Sequence, residues 1–256
     1  GGDKRTRIRQ EVLMGIGGIR ALEALNLRPT ICHMNEGHSA FLVLERVRQL
    51  MSEKGLSFQQ AQVMTAASTV FTTHTPVPAG LERFGYDLID EHFSDYYKSI
   101  GLTRDQFHNL GRENMGSYDL FSMAVFALKF SSGANGVARL HGEVSREMWN
   151  WVYPNVPVPE VPVGHVTNGV HVQTWVSTEM GTLLDRYLDP AWRTDEERSD
   201  IWEKVDSIPD TELWHTHERR RERLIAFARR RLKAQLISRG ASQSEVHQAE
   251  EVLNPE

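Results

Sequence analysis

Ser68-Thr69-Val70-Phe71-Thr72-Thr73-His74-Thr75-Pro76 is the stretch on which the fold turns. A β-branched and aromatic run closed by a proline reads as a short buried strand. Ser57 to Ala67, just ahead of it, reads as a helix, and the strand ends in a polar turn that carries His74. Further back, Thr30-Ile31-Cys32-His33 reads as another buried strand, ending in Asn35-Glu36-Gly37-His38. A helix from Ser39 follows, with Ala40, Val43, Leu44, Val47, Leu50 and Met51 on its core face and a stop at Lys54-Gly55. Arg5 to Leu25 sets Ile8, Val12, Ile16 and Ile19 on one helical face. Gly15, Gly17 and Gly18 lie inside that pattern, where each costs up to about 1 kcal/mol against alanine. They predict close approach of another element, or of a ligand. Helix, strand, helix, helix, strand is the rhythm of a parallel sheet with crossover helices, so the chain reads as α/β and helix-rich.

Onward from the same stretch, the middle third reads as helical. Ser122 is a candidate N-cap for a helix to Phe130, and Asn135 to Trp149 continues with Val137, Leu140 and Val144 on one side. Pro154, Pro157, Pro159 and Pro162 then impose an extended path into Val163 to Thr167, a predicted third strand ending in Asn168-Gly169. The last third reads as helices. On the stretch from Asp210 to Leu236, Leu224, Ala228, Leu232 and Leu236 are expected to face inward. The arginine clusters at 219–221 and 229–231 form a solvated face there, with Glu218 pairing with Arg221 and Arg219 with Glu222.

Composition narrows the function. The chain has 256 residues, 40% of them hydrophobic and 25% charged, with a net charge of −5, which gives no electrostatic case for nucleic acid or an anionic membrane as partner. Its single cysteine, Cys32, excludes an internal disulfide and fits a reducing, cytoplasmic setting. No apolar run is long enough to span a bilayer.

In open α/β sheets ligands bind outside the carboxyl ends of the strands. The three strand-end turns there supply Asn35, Glu36, His38, His74 and Asn168. That set is rich in hydrogen-bond donors and acceptors and poor in nucleophiles, as a polyhydroxylated ligand requires. A plainer reading stays open for each residue, because Asn and Gly also favour turns for purely local reasons. A metal reading would use His33, Glu36, His38 and His74, but no recognised ligand spacing occurs and no metal is expected. Hydrolysis by paired carboxylates would draw on Glu36, Glu82 and Asp87, and nothing in the sequence fixes a pair.

The motifs resemble a known family. Phe71-Thr72-Thr73-His74-Thr75-Pro76-Val77-Pro78-Ala79-Gly80-Leu81-Glu82-Arg83-Phe84 is similar to the active-site segment of α-glucan (glycogen, starch and maltodextrin) phosphorylases. Residues 10–18, 33–41, 134–144 and 167–170 follow in the family's order, and Glu36-Gly37 resembles its bacterial and archaeal branch. The resemblance implies part of the N-terminal Rossmann-like lobe of a two-lobe, glycogen phosphorylase-like glycosyltransferase fold. Residues 1–175 would be the parallel α/β core with the active-site loops, and 176–256 a helical segment leading to the C-terminal lobe.

For the whole enzyme the resemblance implies phosphorolysis of the terminal α-1,4-linked glucose of a glucan by inorganic phosphate to glucose 1-phosphate, with pyridoxal phosphate acting through its phosphate group. It also implies the family's allosteric control and a homo-oligomeric parent. His74, Asn168 and Glu36 are carried over as catalytic: His74 and Asn168 on the glucose 6-hydroxyl, Glu36 behind them or orienting the acceptor sugar. Asn35, His38, Thr75 and Val137 become substrate contacts, and Trp175 a neighbour of the cofactor ring. The cofactor lysine is expected outside this chain, whose ends read as internal to a longer protein, so the chain alone is expected to be inactive. Two other readings remain: a non-catalytic glucan-binding module, and a nucleotide-sugar glucan synthase, whose lysine- and glycine-rich nucleotide loop has no counterpart here.

Overall fold

A computed structural model describes residues 3–77, 80–114, 119–195 and 197–253. Chain contacts divide it into two compact units, Gly1–Asn168 and Gly169–Glu256. The expected core-to-helical division at 175/176 lies inside the second.

The first unit is built on four parallel strands in the order β1-β2-β6-β7, where β1 is Cys32–Asn35, β2 Thr69–Thr73, β6 Gly133–Gly136 and β7 Val163–His165. Registers Asn35↔Thr72, Thr73↔Gly136 and Gly136↔His165 bring the carboxyl ends of all four to one edge. β2 falls where its β-branched run predicts. β1 starts two residues later than expected and alternates: Cys32 and Met34 are buried, His33 and Asn35 exposed. It is therefore half-buried, and its polar residues lie on one face.

The helices follow their local signals. α3 (Leu42–Lys54) ends at Gly55, whose φ of 65° is left-handed and suits glycine. α4 (Phe58–Ala67) begins in a capping box between Ser57 and Gln60. The N-terminal helix is interrupted: α1 (Lys4–Val12) passes through a π-turn, Leu13–Gly17, into α2 (Gly18–Ala24). A Cβ on Gly15 would lie 2.7 Å from the backbone nitrogen of Leu42, so the predicted close approach is real there, while Gly18 faces open space.

Two expectations for the middle third are corrected. Gly-Ala-Asn-Gly at 133–136 is strand β6, and the helix, α8, runs only over Arg139–Trp149. Small residues are required in that strand: a Cβ on Gly136 would meet the backbone of Gly142 and His141 at 2.8 and 2.9 Å. The face α8 buries is His141, Gly142, Ser145 and Trp149, while Leu140 is exposed. A second, antiparallel sheet also appears, in the order β3-β5-β4, from β3 (Arg83–Phe84), β4 (Arg112–Asn114) and β5 (Asp119–Ser122). Arg83 grips Glu113 with two bonds of 2.8 Å across it.

Helices α5 (Tyr86–Ser99), α6 (Arg104–Gly111) and α7 (Met123–Lys129) complete the unit. Residues Met123 to Leu128 of α7 are all buried, as a helix apolar on every side must be. Phe41, Phe93, Phe107, Phe121, Phe126 and Phe130 form a connected aromatic core, with neighbouring rings 4.6–6.3 Å apart.

The second unit holds the short α9 (Val172–Trp175), α10 (Thr178–Tyr187), α11 (Ser199–Trp202), the long α12 (Asp210–Ser238) and α13 (Gln243–Gln248). Its core is Leu183, Leu184, Leu188, Trp192, Ile201 and Ile208. On α12 Ala228, Leu232 and Leu236 are half-buried on the expected inward face, but Leu224 is exposed and Ile225 is buried beside them. Arg220 and Arg223 pair with Glu179 of α10, and Glu218 is bonded by Trp214 and His215 in place of the expected in-helix pairs.

Candidate functional site

The strand ends gather four of the predicted site residues into one hydrogen-bonded group. Glu36 follows β1 directly, with its N–H donating to Thr72 O at 2.8 Å. Its carboxylate accepts from the His74 backbone N–H and, at 3.1 Å, from Thr75 Oγ1. The His74 ring is bonded through Nε2 to Asn35 Oδ1. With that oxygen accepting, His74 carries its proton on Nε2, and Nδ1 is left as an acceptor. His74 and Asn35 are exposed, Glu36 and Thr75 half-buried.

Glu36 stands at φ 63°, ψ 179°, a region almost confined to glycine. Such a residue costs on the order of 1–3 kcal/mol and persists only where its surroundings hold it. Here the carboxylate is held by two donors and the backbone by Thr72. Gly37 is also wedged beneath, where a Cβ would lie 2.7 Å from Met123 Cβ.

A second line of contacts runs across the same edge. His33 Nε2 is 2.8 Å from Thr72 Oγ1, which donates to Asn135 Oδ1 at 2.9 Å. Thr72 has one proton, spent on Asn135, so His33 must donate from Nε2. Asn135 lies in a segment whose pattern predicts helix; an asparagine beside Gly136 at a strand end is the signal that marks it. Val137 N–H donates to His141 Nδ1 at 3.2 Å, and Val137 O accepts from Asn168 N–H at 3.1 Å. Val137 and Asn168 are thus tied together at the neighbouring strand end, with Asn168 exposed.

His38 belongs to a different group. Its Nδ1 lies 2.6 Å from Arg7 Nη2 and 3.6 Å from Glu11 Oε1, in a cluster with Glu82 and Lys4. Trp175, in the second unit, is 77% exposed. Among the described residues no group of three or more His, Cys, Asp or Glu is placed to hold a metal ion, and no helix is long and apolar enough to cross a membrane.

The strand ends of this parallel α/β unit thus present amides, imidazoles and one internally satisfied carboxylate. The carbohydrate phosphorylase family model matches residues 19–240, and the chain belongs to that family. It is 41% identical to the maltodextrin phosphorylase of Thermococcus litoralis over 89% of this chain and 26% of that protein. Against the glycogen phosphorylase of Mycobacterium tuberculosis it is 37% identical over 96% of this chain and 29% of that protein. Against the glycogen phosphorylase of Aquifex aeolicus it is 30% identical over 94% of this chain and 34% of that protein. The chain thus spans between a quarter and about a third of these bacterial and archaeal relatives.

Proposed function

We propose that this chain supplies the glucose-binding strand ends of an α-glucan phosphorylase, which transfers the terminal α-1,4-linked glucose of a glucan to inorganic phosphate. The observation that supports it most is the Asn35–His74–Glu36–Thr75 group, built around a strained Glu36. In this reading the His74 Nδ1 lone pair and the Asn168 amide take the glucose 6-hydroxyl. The His74 carbonyl is a fixed dipole facing the positive charge that develops at the sugar. Glu36 holds His74 and Thr75 in place, with Asn35 fixing the ring, and Val137 holds Asn168. His38 is a substrate contact.

Pyridoxal phosphate enters as the cofactor of the whole enzyme, supplying a phosphate group that exchanges protons with the substrate phosphate. The residues gathered at the strand ends do not form a site for it: they include no lysine, and Lys4 of the neighbouring cluster is committed to Glu82. Its lysine belongs to the rest of the enzyme, and Trp175 lies near its ring. A cytoplasmic setting fits the free, buried Cys32.

The test is release of glucose 1-phosphate from maltoheptaose and phosphate. An enzyme of the relatives' length containing this chain is expected to turn over, and His74→Ala to lower kcat/KM by roughly 10²–10³-fold. The 256-residue chain by itself is expected to give no product. Turnover by the chain alone, or full activity in the His74 variant, would overturn the reading.

A further inference from the structure

Glu11 is an acid close to the site that the strand-end chemistry leaves unused. It is the penultimate residue of α1, only 2% exposed, and both its carboxylate oxygens lack a hydrogen-bond partner. Arg7 Nε lies 3.0 Å from Glu11 Oε1 and 3.1 Å from Glu82 Oε2, so two carboxylates compete for one N–H. The same guanidinium puts Nη2 2.6 Å from His38 Nδ1. Guanidinium is always a donor, so at that distance Nδ1 must be a bare lone pair. The proton of a neutral His38 is then on Nε2, which has no protein partner among the described residues, on a side chain that is 47% exposed.

We propose that Arg7 and Glu11 are positioning residues that fix the tautomer of His38: Arg7 occupies Nδ1, and Glu11, kept as an uncharged carboxylic acid, neither pulls Arg7 away nor places a proton on Nδ1. His38 thereby offers an Nε2–H donor to a sugar hydroxyl, a step that rests on the strand-end reading above. The charged and titratable groups facing Glu11 are Lys4 and Arg7 from its own helix, His38 from the turn after β1, and Glu82 ahead of β3. An ionised Glu11 would make two carboxylates share one guanidinium and stand 3.6 Å from a ring nitrogen that it would then tend to protonate. Burial, with Glu82 close by, pushes the carboxyl up to about 8 against the pull of Arg7 and Lys4, in keeping with the uncharged form at neutral pH.

The experiment is ¹⁵N NMR of the His38 ring in this chain at pH 7, which needs no sugar. The expected result is a pyridine-type Nδ1 and a protonated Nε2, unchanged in Glu11→Gln, which mimics the neutral acid. In Arg7→Met the pyridine-type Nδ1 signal should give way to a mixture of tautomers. Protonation at Nδ1 in the unaltered chain, or a tautomer that changes in Glu11→Gln, overturns the proposal. If the tautomer is as expected and saturating maltoheptaose leaves Nε2 unmoved, the brace stands and the sugar-site reading fails, so the two are separable.

Discussion

Glu36 carries two opposing local effects that substitution can separate. Its backbone lies where glycine is at ease, while its carboxylate is the acceptor for the His74 N–H and the Thr75 hydroxyl. Glu36→Ala keeps the strain and strips both donors of their acceptor, for an expected loss of about 1–3 kcal/mol in urea unfolding. Glu36→Gly loses the same bonds but relieves the backbone, and should regain on the order of 1–3 kcal/mol relative to the alanine variant. If the carboxylate organises the sugar site, neither variant recovers maltoheptaose binding. An alanine variant as stable as the glycine one would show that the backbone there is not strained.

At the scale of elements, the glycines differ sharply in what they permit. Gly15 lets α3 approach the π-turn, and Gly136 lets α8 sit on β6; in both cases an added Cβ would strike backbone at under 3 Å, and backbone cannot swing aside. Gly15→Ala and Gly136→Ala are each expected to destabilise the first unit by about 1–3 kcal/mol. Gly18, in a helix and facing open space, should respond oppositely, with Gly18→Ala gaining roughly 0.5–1 kcal/mol. Denaturant midpoints of the three variants, compared at constant m-value, decide the matter. The same contacts explain why β6 was illegible in sequence. A strand made of glycine, alanine and asparagine has no β-branched signal, and its small residues make sense only beside the helix packed directly against it.

For the first unit as a whole, two buried carboxyls set opposite pH slopes. Burial pushes Glu45 up, but bonds from Arg48, Arg20 and Tyr96 outweigh it and hold it below the ordinary value. Its contribution is therefore present above the unfolded-state value and lost as acid protonates it. Glu11 is shifted the other way, from 4.5 to about 8. Its native form binds the proton that the unfolded chain has released, so stability is full below about 4.5, falls as pH rises through that window, and levels off above about 8. The fall is on the order of 3–5 kcal/mol. Urea unfolding between pH 5 and 9 should show it, and Glu11→Gln should flatten the slope while being more stable than the unaltered chain at pH 9. An identical slope in the two proteins would place Glu11's ionisation elsewhere.

Sequence by itself determined the parallel α/β class, strand β2, the capped α4, the stop at Gly55, and which turns lie at the strand ends. Each of these is encoded by residues adjacent in the chain: a β-branched run, a Ser57–Gln60 box, a left-handed glycine. Glu36 and His74 were legible for the same reason, being polar residues directly after strands, and Asn35 as the polar end of β1; Thr75 entered only through the family resemblance. Only the tertiary structure decided that α8 buries His141 and Ser145 while exposing Leu140, that α12 turns Ile225 inward, and that His38 sits with Arg7 and Glu11 apart from His74. Those outcomes depend on partners tens of residues away. Helical periodicity names a face without naming what will cover it, and a carboxyl's charge state depends on the dielectric and charges around it, which sequence order does not contain.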